Sequence, residues 1–167
     1  MIPIETSIGR FRAVFSERGL VRLDFPGDAM TPHPGPPPQP GVPGRSVDLV
    51  GWEGGRETAL ERELNDYLEG RLRRFTVPLD LRGTAFQREV WGRVLEIPYG
   101  GTRTYAEVAG AVGRPRAARA VGAANGANPM PILVPCHRLV GASGSLTGYG
   151  GGVALKRWLL ALESGGR

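Results

Sequence analysis

Apolar and polar residues alternate near the start of the chain. Phe11, Ala13 and Phe15 interleave with Arg10 and Arg12, and beyond Ser16-Glu17-Arg18-Gly19 the residues Val21, Leu23 and Phe25 interleave with Arg22 and Asp24. A period of two belongs to half-buried strands, so residues 10–25 predict a β-hairpin. The period lengthens over residues 57–72. Leu60, Leu64, Tyr67 and Leu68 fall at i, i+4, i+7 and i+8, while Glu61, Arg62, Glu63 and Glu69 take the opposite face. That is the stripe of an amphipathic helix. Gly70 and Arg71 to Arg74 close it, the arginines reading as a solvated helix end favoured by the macrodipole. Phe75 to Leu81 then runs extended. Between hairpin and helix, residues 26–44 hold eight prolines and four glycines and predict a long exposed loop. His33 lies in that loop with nothing nearby to complete a metal site, and Ser46 to Trp52 returns towards the sheet.

The second half reads as short helices. Thr84 is followed three residues on by Gln87, a capping box, and Phe86, Val90, Trp91, Val94 and Leu95 form an apolar face before Ile97-Pro98-Tyr99-Gly100 ends it. Thr104 and Glu107 form a second capping box, opening a helix with Val108 and Val112 inward and Gly113 as its stop. A further helix is expected from Pro115, at its first position, to about Ala124. Two short helices around a tight turn make a helix-turn-helix, a shape shared with αα-hairpins that never touch DNA. The stretch Arg116 to Ala124 is almost all small residues flanking Arg116 and Arg119. Such a helix can pack closely on a neighbour or approach a nucleic-acid groove. Gly141 to Gly152 is a glycine-rich loop with Tyr149 as its one large side chain, and a last helix spans Val153 to about Glu163 with Trp158, Leu159 and Leu162. No internal repeat is present. The fold class is α+β: a small N-terminal α/β domain over residues 1–75, then a mostly helical C-terminal domain over 76–167, with the boundary near 76–83.

Composition narrows the classes. The chain has 167 residues, 41% of them apolar, enough for a packed core. One cysteine excludes an internal disulfide, and with only His33 and His137 beside it a structural zinc site is not expected. The opening Met1-Ile2-Pro3-Ile4-Glu5 has no basic region followed by an apolar run, and no stretch approaches the roughly 20 apolar residues of a membrane span, so an intracellular, cytoplasmic protein is expected. The net charge of +5 is uneven. Residues 1–83 carry 11 Arg against 12 Asp and Glu, whereas residues 84–167 carry 10 Lys and Arg against 4 Glu. The excess sits with the cysteine, which points to a polyanionic partner there.

The only cysteine adjoins a histidine in Pro131-Ile132-Leu133-Val134-Pro135-Cys136-His137-Arg138-Leu139-Val140. A thiol beside an imidazole can be a nucleophile with its base, or an inert core cysteine. Three classes remain open on these residues: a group-transfer protein, a DNA-binding module without transfer, and a cysteine hydrolase. The last lacks a recognisable oxyanion element.

Pro135-Cys136-His137-Arg138, preceded by Ile132-Leu133-Val134, resembles the acceptor motif of the O6-alkylguanine-DNA alkyltransferases. The resemblance extends in order through Gly83-Thr84-Ala85-Phe86-Gln87, Val90-Trp91, Ile97-Pro98-Tyr99-Gly100, Thr104-Tyr105, Arg116 to Val121, Asn128-Pro129 and Gly148-Tyr149. It covers roughly residues 76–163 and is weak over 1–75, where it implies a small RNase H-like domain. It implies irreversible single transfer of an alkyl group from O6 of guanine, less readily from O4 of thymine, in double-stranded DNA. Cys136 would be the acceptor, His137 its base through a water, and Glu163 the carboxylate that orients His137. Asn128 would brace the turn, and Tyr105 would bond guanine N3. Arg119 would fill the stack left by the extruded nucleotide, beside Arg116, Ala118 and Thr104 on the DNA. Tyr149, Met130, Pro131, Val134 and Gly150 would line the alkyl pocket. The resemblance implies a monomer with no metal, no organic cofactor and no membrane partner. Some relatives carry serine after the pocket tyrosine, where this chain has Gly150.

Overall fold

The computed structural model describes residues 1–27 and 55–165. Most of the proline-rich stretch 26–44, with His33, and the whole of Ser46–Trp52 lie outside the described residues. The first half is a three-stranded antiparallel meander of β1 (Ile2–Thr6), β2 (Gly9–Ser16) and β3 (Gly19–Asp24), in the order β1-β2-β3. The expected hairpin is β2–β3, and β1 adds a strand that its short length hid. Register pairs Ile4 with Phe11 and Ala13 with Leu23, which puts these four on the buried face.

Helix α1 (Arg56–Leu68) lies against that face through Leu60, Leu64, Tyr67 and Leu68, as the stripe predicts. It ends four residues before the expected 72. The Gly70 backbone is left-handed (φ 75°) and its N–H turns back to the Tyr67 carbonyl at 2.9 Å, a closure glycine permits. Glu63 also departs from the amphipathic pattern. It is buried rather than solvated, because its carboxylate accepts the Thr76 and Val77 N–H groups at 2.9 and 3.3 Å and the Thr76 hydroxyl. The extended segment after α1 is thereby tied to the helix. It also joins β3's edge, with Leu20 donating to Pro78 O and Asp80 to Leu20 O, both at 2.8 Å.

Both capping boxes form. Thr84 opens α2 (Ala85–Leu95) and Thr104 opens α3 (Tyr105–Ala111), each accepting an N–H from the third helical residue, whose side chain returns the bond. Val90, Trp91 and Val94 of α2 are buried, but Leu95 is 40% exposed, since it sits about 100° round the helix from Val94. Helix α4 spans Ala118–Gly126 and does not begin at Pro115. Residues 114–117 form a turn closed by Ala117 N–H to Arg114 O at 2.8 Å, with Pro115 at the second turn position, where its fixed φ is equally at home. The Trp91 indole donates to Ala124 O at 2.8 Å and joins α2 to α4. A 3₁₀ turn (Cys136–Arg138) follows residues 131–135, and β4 (Arg103–Thr104) pairs in parallel with β5 (Leu139–Val140). Helix α5 (Gly152–Glu163) closes the fold. One apolar core runs from the meander through α1, α2 and α4 to α5.

Thr84→Ala is expected to lower stability by about 1 kcal/mol, read as a lower urea midpoint with an unchanged slope. Leu95→Ala should move the midpoint by less than half as much.

Candidate active site

Cys136 sits at the start of the 3₁₀ turn because the preceding residues form a tight loop. Asn128 holds that loop from both sides. Its Nδ2 donates to Val134 O at 2.9 Å and its Oδ1 accepts Met130 N–H at 3.0 Å. Val134 N–H reaches Met130 O at 2.9 Å, and Cys136 N–H reaches Val134 O at 2.7 Å. Ile132, between them, has φ 75°, a costly conformation for a β-branched residue, and its side chain is buried. The thiol is buried too. Burial pushes Cys136 above its ordinary value, against the opposing pull of Asn128 and Lys156, so at neutral pH it is a thiol.

Behind the thiol, four residues from three elements converge on one carboxylate. Glu163 Oε1, at the end of α5, accepts from the Tyr67 hydroxyl at 2.5 Å, from Arg138 Nη2 at 2.7 Å and from His137 Nε2 at 2.9 Å. Its Oε2 accepts Arg138 Nε at 2.9 Å and Gly100 N–H at 3.1 Å. Gly100 is left-handed (φ 76°), and a Cβ there would lie 2.9 Å from Glu163 O, so glycine is needed for the approach. Burial works to raise Glu163, yet the hydrogen bonds from His137 and Arg138 outweigh it and take the carboxyl to about 2. It is therefore ionised and can only accept.

That settles the histidine's tautomer. The proton between His137 and Glu163 must lie on Nε2, which also faces the Tyr67 oxygen at 3.2 Å. Nδ1 keeps a bare lone pair, buried and without a partner among the described residues. Burial holds His137 below the ordinary imidazole range, opposed by Glu163, while Arg138 supplies the positive charge that the carboxylate needs. His137 is thus a neutral base adjoining a protonated thiol.

In front of the thiol lies a cleft of about 820 Å³ lined by Cys136, Tyr105, Arg119, Asn125, Tyr149 and Phe25, among others. The Tyr149 ring packs edge-on to Phe25 at 5.5 Å and to His137 at 6.4 Å. Lys156, fully buried, donates to Thr147 O at 3.1 Å and holds the loop that carries Tyr149.

Residues 85–165 match the family described as 6-O-methylguanine DNA methyltransferase, DNA binding domain. The methylated-DNA–protein-cysteine methyltransferase of Mycobacterium bovis is 62% identical over 101 residues, which is 60% of this chain and 61% of that protein. That of Methanosarcina barkeri is 41% identical over 164 residues, covering 96% of this chain and 94% of its own. This chain belongs to the methylated-DNA–protein-cysteine methyltransferase family. Its fold is similar to the crystal structure of Mycobacterium tuberculosis OGT in complex with DNA, with a TM-score of 0.76 at 44% identity over 97% of this chain and 91% of that one.

Of the residues this family's pattern singles out, Cys136, Tyr105, Arg119, Ala118, Asn128, Pro131, Tyr149 and Gly150 line the cleft. His137 and Glu163 stand behind it. Met130 and Val134 are fully buried in the core rather than on the cleft wall, because the turn at Ile132 points them inward. Arg116 and Thr104 lie outside the cleft's lining. Among the described residues no group of three or more His, Cys, Asp or Glu could hold a metal ion, and no helix is long and apolar enough to cross a membrane. Sequence reasoning missed Tyr67, Arg138, Asn125 and Phe25. Tyr67 carried one signal, since a tyrosine on an apolar stripe needs a partner for its hydroxyl. Arg138 carried another, a cation inside an apolar run.

The depressed carboxyl of Glu163 adds stability that is full above its ordinary value of 4.5 and is lost as pH falls towards about 2. Glu163→Gln should lower stability most above 4.5, leaving Arg138 unpaired, and should flatten the acid fall between those limits, the gap to wild type closing towards about 2. Urea midpoints measured across that range check the slope.

Proposed function

We propose that this chain repairs DNA by direct reversal. Cys136 takes the alkyl group from O6-alkylguanine, and less readily from O4-alkylthymine, in duplex DNA, once per molecule. The observation that carries the reading is the bare, buried Nδ1 of His137, the residue next in sequence to the one thiol that faces the cleft. A water bridging Nδ1 and the thiol would pass the thiol proton to the imidazole, and Glu163 offsets the charge that forms. The sulfur then attacks the alkyl carbon. A C–S bond forms, the C–O6 bond breaks, and its electron pair passes into the guanine ring. Tyr105, on the cleft wall, would donate to N3 so that the base leaves without a full negative charge. The product thioether does not hydrolyse, so no second turnover follows. The chemistry calls on no metal or cofactor.

The target base must leave the duplex to reach a buried thiol, which costs a few kcal/mol and least at a damaged pair. We read α3, the turn at 112–117 and α4 as a helix-turn-helix. Its second helix carries Ala118, Gly122 and Gly126 on the cleft side, small enough for close approach to a groove. Arg119, exposed at the cleft, would fill the vacated stack, with Arg116 and Thr104 on the flanking backbone. Tyr149, Pro131 and Gly150 would surround the alkyl group. Residues 1–75 fit the small RNase H-like domain and 76–167 the DNA-binding alkyltransferase domain, although the two share one core.

Intact-protein and peptide mass spectrometry after incubation with O6-methylguanine duplex should find one added methyl, on Cys136, saturating at one per chain. DNA binding with an unmodified Cys136 would instead describe a lesion-sensing module. His137→Ala should slow transfer by about a hundredfold. The rate with free O6-benzylguanine should hold from neutral pH to below the ordinary imidazole value of 6.5, because burial depresses His137, and fall once Nδ1 is protonated. Arg119→Ala should lose more rate on duplex than on the free base; equal losses would remove its flipping role.

A further inference from the structure

Three buried side-chain atoms lack a hydrogen-bond partner among the described residues, and all three belong to this site: His137 Nδ1, the Tyr149 hydroxyl and Asn125 Oδ1. The base role accounts for the first, and the Cys136 sulfur beside the Tyr149 hydroxyl for the second. Asn125 has no part in the chemistry described above. It stands near the end of α4, in line with Ala118, Gly122 and Gly126 at i, i+4, i+7 and i+8, and all four line the cleft. On that face of small residues it is the one amide, and it is only 6% exposed.

The orientation of its amide follows from its partner. Asn125 lies 3.3 Å from the Cys136 carbonyl, which can only accept, so Nδ2 faces that carbonyl and Oδ1 is turned away. The backbone cannot serve Oδ1 either, since the nearby N–H groups of Ala127 and Asn128 bond to Ala123 O and Asn125 O. A buried, unpaired amide oxygen is a standing cost that a bound donor would relieve.

We propose that Asn125 Oδ1 accepts a hydrogen bond from the exocyclic amine of the extruded base and so makes Asn125 a specificity-determining residue. The proposal rests on the alkyl-acceptor reading. Once O6 is alkylated, guanine has no hydrogen on N1, N3 or N7. Its 2-amino group is then the only N–H donor on the base within a nucleotide. O4-alkylthymine has no N–H donor at all. Asn125 therefore rewards the guanine lesion and leaves Oδ1 unpaired with the thymine lesion, a penalty that falls on the analogue lacking the donor.

The test compares duplexes carrying O6-methylguanine with duplexes carrying O6-methylhypoxanthine, which lacks only the amine. Cys136 methylation rates are measured for the full chain, for Asn125→Leu and for Asn125→Ala. The wild-type chain should prefer the guanine lesion. The variants should lose about tenfold in that preference, read as the ratio of the two rates so that any common loss from removing the amide bond to the Cys136 carbonyl cancels. An equal loss on both duplexes, a preference unchanged in the variants, or a wild-type ratio near one overturns the assignment. The wild-type ratio stands as a test even if a variant does not fold. Wild-type protein that is methylated by neither duplex sinks the alkyl-acceptor reading itself, a different outcome from any of these.

Discussion

The site depends on one buried carboxylate. Glu163 gathers a tyrosine from α1, a glycine N–H from the loop after α2, and a histidine and an arginine from the 3₁₀ turn. Burying a carboxylate is expensive unless it is paired and fully hydrogen-bonded. Here Arg138 cancels its charge and four residues between them satisfy both oxygens. Because Arg138 carries the positive charge, His137 need not, and burial keeps the imidazole neutral. Had the carboxylate only His137 for company, the pair would favour imidazolium, which cannot take a proton from the thiol.

The same network explains why an inconvenient thiol is tolerated. Low-pKa cysteines react readily with any electrophile, and burial pushes Cys136 the other way. On the alkyl-acceptor reading its reactivity is supplied on site by His137, whose proton the bond to Glu163 fixes on Nε2, leaving the Nδ1 lone pair bare. Geometry of this kind is built on rigid parts. Asn128 clamps the loop from both ends, and the left-handed Ile132 is held there by a fully buried side chain.

What could be read from the sequence was mostly local. The two capping boxes involve residues three apart, and both form as the pattern predicts. The strand pair β2–β3, the stripe of α1 and the last helix follow from periodicity. The site motif was legible because Cys136, His137 and Arg138 are consecutive. The losses came where a local rule met a distant partner. Glu63 looked like one more surface charge until the segment at Thr76 folded back over it. Pro115 suits a helix start and a turn equally, and the Arg114 carbonyl decides for the turn. Tyr67 and His137 are 70 residues apart, and no pattern in either neighbourhood names the other. Asn125 resembled any polar residue at a helix end, and its significance appears only when both ends of its amide are traced.

The hydroxyl of Tyr67 has a consequence for how such a chain can be altered. It reaches the Glu163 cluster from the first half of the molecule, whereas the other members of that cluster come from the second. The centre is therefore not a cassette. A second half grafted onto a foreign first half inherits Cys136, His137, Arg138 and Glu163 intact, yet receives a carboxylate with one donor missing and an imidazole set against a different wall. A foreign first half leaves the cluster complete only where it brings a donor to this one spot.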